Sequence, residues 1–475
     1  MAHKNLILDR EKYLAQWKHD IRWEKPLLIE RNLPLGPAAA AQEEGGNVAI
    51  YFRFLTNMEP WVFTNWIEEC MSWKETCYIG DWSPIAKFHI KGPDVIKFYT
   101  DVCATNVLNW SIGQARHAIM CNREGKVAGE GVAMHLAQDE IIFSGGICYW
   151  AEYKFRTGNY SAVGRQVGPE IFLFQVQGPH SIYVLEKVTG ESLRDINFMR
   201  FRKVKINDME VRVLRTGMSG ELGYEIHGPC EYASEIFKTV YEEGKEFGIK
   251  RLGGRARQIN HLEACFPTHT RDYIPAIADV DESVFEDLNL ARLELRGAFG
   301  PIIPGGSFEY NHKSALYHTP HELGWKRFIR FDHDFVGRKA LEEESANQKR
   351  DMVTLVWNSD DVIDVYASLF RGGDLYDFME LPRDQIAHRA MLPDKVLKDG
   401  KIVGISTTRG YSVYFREMIS LCTLDIELCK PGTEVVVVWG QTGKAQKQIR
   451  AKVAPAPYKK DNRRVDVTKL PMYLK

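Results

Sequence analysis

Arg215-Thr-Gly-Met-Ser-Gly-Glu-Leu-Gly-Tyr-Glu225-Ile-His227 is the most densely patterned run in the chain. Its glycines fall at 217, 220 and 223, between two strand-like stretches. Such spacing makes a tight loop, which larger residues would strain, and the loop delivers Glu225 onto the following strand. A carboxylate on a strand commonly faces solvent, so position alone does not make Glu225 a ligand. Downstream lies Gly253-Gly-Arg-Ala-Arg257-Gln-Ile-Asn-His261-Leu-Glu-Ala264, two arginines beside an apolar helical run. A helix-end ion pair would equally explain those arginines.

Working outward, alternation predicts strands at 86–90, 127–136, 141–144, 172–177, 204–206 and 211–214. Helical spacing appears at 61–73, 95–102, 181–188 and 232–247. Residues 1–48 open helically and reach a loop rich in Ala and Gly. Hairpins outnumber crossovers, which argues α+β rather than a doubly wound sheet. Toward the C-terminus, 401–406, 420–428, 434–439 and 449–453 read as strands of a small β domain. The 475 residues exceed what one core holds. The expected division is 1–160 completed by 255–370, then 161–254 with the Glu225 motif, then a barrel over 371–475.

Composition narrows the classes. Lys plus Arg number 62 against 63 Asp plus Glu, so no nucleic-acid or polybasic membrane footprint is expected. Nine scattered cysteines without a C-x-x-C pair suggest reduced thiols and a cytoplasmic location. The N-terminus lacks the apolar stretch of a signal peptide. No G-x-G-x-x-G or Walker loop occurs, against nicotinamide, flavin or nucleotide chemistry. His261, Cys265 and His269 have ligand-like spacing, but Pro267 interrupts the run, so no metal is expected.

The Arg215–Ile226 and Gly253–Ala264 segments together resemble the folate-dependent aminomethyltransferase family, the T-protein of glycine cleavage. Asp81-Trp-Ser83, Gly92-Pro-Asp94, Gln177-Gly-Pro179 and Asp334-Phe-Val-Gly337 follow in the family's order, covering roughly residues 60–460. The resemblance implies a three-domain fold around a central folate cavity, with a C-terminal β-barrel. One departure selects a branch. The T-protein carries paired aspartates where this chain has Gly129-Glu130, which puts aminomethyl transfer in doubt. Gly-acid pairing, Trp357-Asn-Ser-Asp-Asp361 and Tyr366-Ala-Ser-Leu-Phe370 are similar to the tetrahydrofolate-dependent vanillate/syringate-type aryl O-demethylases.

That resemblance implies tetrahydrofolate as methyl acceptor and a methoxyaromatic small molecule, of the methoxybenzoate class, as donor. It implies Glu225 as the pterin carboxylate, with Arg257, Gln177 and Arg215 as further folate-binding residues. Gln177 before Gly-Pro would also serve merely to satisfy a turn. No dedicated acid stands out; His261 and His227 are the candidates, although each suits a structural histidine equally. Gly146 stands where the vanillate branch has a carboxylate-binding arginine. Trp150, Tyr149 and Trp82 would then wall the ring, unless they are core, and the ring would be more apolar or more substituted than vanillate, as in a halogenated methoxybenzoate. Another methyl donor, or a non-catalytic folate binder, fits the same motifs.

Overall fold

The computed structural model describes residues 34–44, 48, 50–55, 57–145, 148–277, 305–383 and 391–472. It contains a two-stranded ribbon of β1 (Tyr51–Phe54) and β2 (Asn57–Pro60), two larger open sheets and a barrel, with helices packed between and around them, an α+β architecture. The first sheet runs β5 (Ala115–Cys121), β6 (Val127–Ala137), β7 (Glu140–Ser144), β4 (Lys87–Lys91) and β8 (Val163–Gln166). The second runs β10 (Phe201–Ile206), β11 (Met209–Leu214), β12 (Gly223–Pro229), β9 (Ile171–Gln177), β3 (Cys77–Asp81) and β13 (Ile249–Arg251). Its neighbours are antiparallel except β3 and β13, which are parallel.

Local sequence explains the elements. Val95, Phe98, Tyr99 and Val102 form one buried stripe of the helix Val95–Val102, at the spacing one helical face requires. The helix Trp66–Glu75 starts late within the predicted 61–73, because Asn65 caps it by accepting the Glu68 amide. In β12, Tyr224 and Ile226 enter an apolar core while Glu225 and His227 take the opposite face. Both faces are buried, so Glu225 is only 6% exposed rather than solvent-facing.

The sheets interleave across the expected boundaries. Cys77–Asp81 leaves the first segment to join the second sheet, and Val163–Gln166 does the reverse. The barrel starts earlier than 371: β14 (Arg350–Trp357) pairs with β17 (Glu417–Asp425) and with β19 (Lys447–Ala454), closing it. Between them lie β16 (Lys401–Ser412), β15 (Asp394–Lys398) and β18 (Glu434–Trp439). The predicted N-terminal helical stretch lies outside the described residues, apart from a short helix at Ala39–Glu43. Among the described residues no helix is long and apolar enough to cross a membrane.

Candidate active site

A cavity of about 1140 Å³ opens where the two sheets, the helix Gly254–Glu263 and the C-terminal segments meet. That volume exceeds the usual range for one small ligand, so two can sit face to face. Glu225, Arg257, His261 and Trp82 line it.

Glu225 is held by a chain of side chains. Asn260 Nδ2 donates to the Tyr78 hydroxyl at 3.0 Å, and that hydroxyl donates to Gln175 Oε1 at 3.3 Å. Gln175 Nε2 donates to Glu225 Oε1 at 3.0 Å, and His227 Nε2 lies 3.1 Å from Oε2. A carboxylate accepts only, so His227 carries its proton on Nε2. Burial holds His227 below its ordinary pKa, in the neutral form. His227 thus sits behind Glu225, outside the cavity lining, and orients that carboxylate. It is not placed to protonate a leaving group.

Arg257 is buried, its guanidinium stacked 4.2 Å from the Phe54 centroid and 4.6 Å from that of Trp82. Its Nε and Nη1 have no partner among the described residues. The charges of Glu59 and Asp81 act on it, and burial together with the Asp81 charge pushes the Glu59 carboxyl up. These groups fit a pterin-type ligand: Glu225 offers acceptors for adjacent N–H groups, and Arg257 has unused donors facing the same space.

Gln177 and Arg215 do not reach the cavity lining. Gln177 Nε2 donates to the carbonyls of Thr216 (3.0 Å) and Tyr224 (3.3 Å), and Ser219 Oγ donates to its Oε1. A Cβ on Gly217 or Gly223 would fall 1.6 or 2.5 Å from the Gln177 side chain. The motif glycines therefore clear room for a glutamine that holds the loop from inside. Arg215 donates to the carbonyls of Ile196, Arg463 and Val465, tying that loop to the C-terminal segment.

The expected aromatic wall is also relocated. Tyr149 and Trp150 begin a helix, Tyr149–Arg156; Tyr149 is buried and Trp150 packs against the first sheet's core. Neither lines the cavity, where Trp82 is joined by Phe52, Phe54, Trp325 and Phe328. Gly146 lies outside the described residues. Sequence reasoning missed His117, whose Nε2 is 2.9 Å from Glu130 Oε2 on the cavity wall, and Gln175 behind Glu225. Glu130 was visible as half of the Gly-acid pair; His117 carried no motif.

His261 lines the cavity, and neither ring nitrogen has a partner among the described residues. Burial, followed by the charges of Arg257, Arg271 and Arg383, pushes its pKa down to about 3. It stays neutral at ordinary pH and cannot serve as a cationic acid. The unfolded chain binds this proton near pH 6.5, so stability falls as pH drops from 6.5 toward 3, by about 1.4 kcal/mol per unit. His261→Gln should flatten that slope in urea melts at pH 6 and pH 5. An unchanged slope would mean that His261 protonates in the native state.

The chain matches the GCVT N-terminal domain family over residues 10–283 and belongs to it. It is 34% identical over 455 residues to a sesamin methylene transferase of Sinomonas sp. (strain No.22), covering 91% of this chain and 97% of that one. It is 29% identical over 425 residues to a syringate O-demethylase of Sphingobium sp. (strain NBRC 103272 / SYK-6), covering 84% and 89%. The crystal structure of the glycine cleavage system aminomethyltransferase T from Bartonella henselae superposes with a TM-score of 0.67 at 16% identity, over 90% of this chain and 99% of that one. It has the same fold. Membership makes this a folate-dependent enzyme, with tetrahydrofolate as the one-carbon acceptor.

Proposed function

We propose that the protein is a tetrahydrofolate-dependent aryl O-demethylase, moving the methyl of a methoxybenzoate-class ether to N5 of the folate and releasing a phenol. The observation that carries this reading is one cavity with an anchored carboxylate at one end and room for an aromatic ring beside it. The syringate O-demethylase likeness supports it. Glu225 and Arg257 would hold the pterin, and bound tetrahydrofolate supplies the nucleophilic nitrogen. The protein contributes by juxtaposing two reactants and excluding water, which removes much of the entropic barrier. A phenol has a pKa near ~10, so the leaving oxygen also needs a proton or cation as charge develops.

The likeness to a methylene transferase favours a second reading, in which the carbon bridges two aryl oxygens. One experiment separates the two. Purified protein is incubated with tetrahydrofolate and a panel of methoxybenzoates and methylenedioxybenzenes, and folate products are followed by mass. We expect 5-methyltetrahydrofolate from a methoxybenzoate, only when folate is added, and undiminished by chelator. Methylenetetrahydrofolate from the methylenedioxy compounds alone would establish the second reading. Turnover without folate, or loss with chelator restored by metal, would overturn both.

A further inference from the structure

We propose that His117 is the acid of this site, delivering the proton to the leaving aryl oxygen, and that Glu130 is its positioning residue. The inference rests on the aryl-oxygen substrate proposed above. It comes from a cavity-wall pair on adjacent strands. In β5 and β6, Ile119 is opposite Glu130 and His117 is opposite Val132, so His117 and Glu130 are diagonal neighbours. His117 Nε2 is 2.9 Å from Glu130 Oε2, and both side chains line the cavity that Glu225 enters from the other sheet.

The imidazole is held by two aromatic neighbours as well as by the carboxylate. Trp325 and Phe328 contact it edge-on, with centroids 5.0 and 5.1 Å away and planes at 84° and 86°. With Nε2 committed to a carboxylate, that nitrogen carries hydrogen in either charge state. Nδ1 has no partner among the described residues, so it is the atom left to exchange a proton with a ligand. A carboxylate holding one imidazole nitrogen while the other faces the reaction is a recurrent acid–base arrangement.

The other titratable groups around Glu130 do not fill this role. Burial holds His269 below its ordinary pKa, so it stays neutral. Tyr273 is pushed well up by burial and by the Glu130 charge, so it remains a phenol. His261 is neutral, and His227 lies behind Glu225.

The step balances. The carbon–oxygen bond breaks with its electron pair going to oxygen, and the carbon bonds to the acceptor amine through that amine's lone pair. Imidazolium Nδ1–H passes a proton to the oxygen, giving the phenol and neutral His117. The proton shed by the alkylated amine returns the imidazole to its cationic form. One proton leaves nitrogen, one reaches oxygen, and nothing is oxidised.

The test compares a leaving group that needs a proton with one that does not. His117→Gln should lower kcat on 4-methoxybenzoate by about 10²–10³-fold, within the usual range for a lost general acid. On 4-nitroanisole, whose departing phenoxide is already stable, the loss should stay below tenfold. Glu130→Gln should show the same convergence with a smaller loss on 4-methoxybenzoate. A second readout needs neither turnover nor folate. Bound 4-nitrophenol should show a stronger phenolate band in wild-type protein than in His117→Gln, because the pair settles as His117 imidazolium and phenolate. Equal losses on both ethers, with identical bound spectra, would overturn the assignment. Should wild-type protein demethylate neither ether, the functional reading fails, and the nitrophenol spectra alone decide whether His117 exchanges a proton with an aryl oxygen.

Discussion

Glu225→Gln should weaken tetrahydrofolate binding by roughly ten- to a hundredfold, which corresponds to losing ~1.5–3 kcal/mol from a charge-assisted hydrogen bond. The wild-type carboxylate accepts from Gln175 Nε2 on one oxygen and from His227 on the other, and keeps further lone pairs for ligand N–H groups. A glutamine must turn an NH₂ toward at least one of these donors. The mismatch falls on the folate end of the cavity, so affinity for the methoxyaromatic should change by less than threefold. Calorimetric titration of each ligand separately checks both halves. Unchanged folate affinity would remove Glu225 from the pterin site, and equal weakening of both ligands would mean a general collapse of the cavity. His227→Gln should have a smaller effect in the same direction, because an amide N–H still reaches Glu225 but without the ring's rigidity.

How much of this was legible depended on how far apart the interacting residues lie. The helix Val95–Val102 and the strand Glu434–Trp439 follow from local periodicity and keep the bounds that periodicity predicts. Arg350–Trp357 was hidden: its charged start resembles the solvated helix end before it, and its partners lie some 60 to 100 residues downstream. The Glu225 motif was conspicuous, yet its glycines serve Gln177, forty residues earlier, rather than a ligand directly. That takes Gln177 out of the expected folate contacts without moving the site. Tyr149 and Trp150 were expected to wall the ring; helical turn geometry instead packs them against the core. His117 escaped notice because a diagonal pair across two strands has no one-dimensional signature until register is known.

Arg257 combines a ligand-facing role with a structural one, and its replacement separates them. Removing the guanidinium takes away a positive charge that acts on the buried Asp81 and Glu59 carboxyls. Breaking a buried charge cluster in this way costs about 3–5 kcal/mol. Arg257→Leu should therefore lower unfolding stability by that amount in urea melts, before any effect on folate is considered. Asp81→Asn should cost less by itself, because the Asp81 charge adds to burial in opposing ionisation of Glu59. Added to Arg257→Leu, it should restore about 1–3 kcal/mol, since the orphaned charge disappears with its partner. Additive losses across the cycle would mean that the arginine does not compensate those carboxylates. Folate binding by the restabilised double variant then reads the ligand role alone. If Nε and Nη1 serve the folate, affinity stays low although the fold has recovered; recovered affinity would assign Arg257 to the scaffold and leave the folate to Glu225.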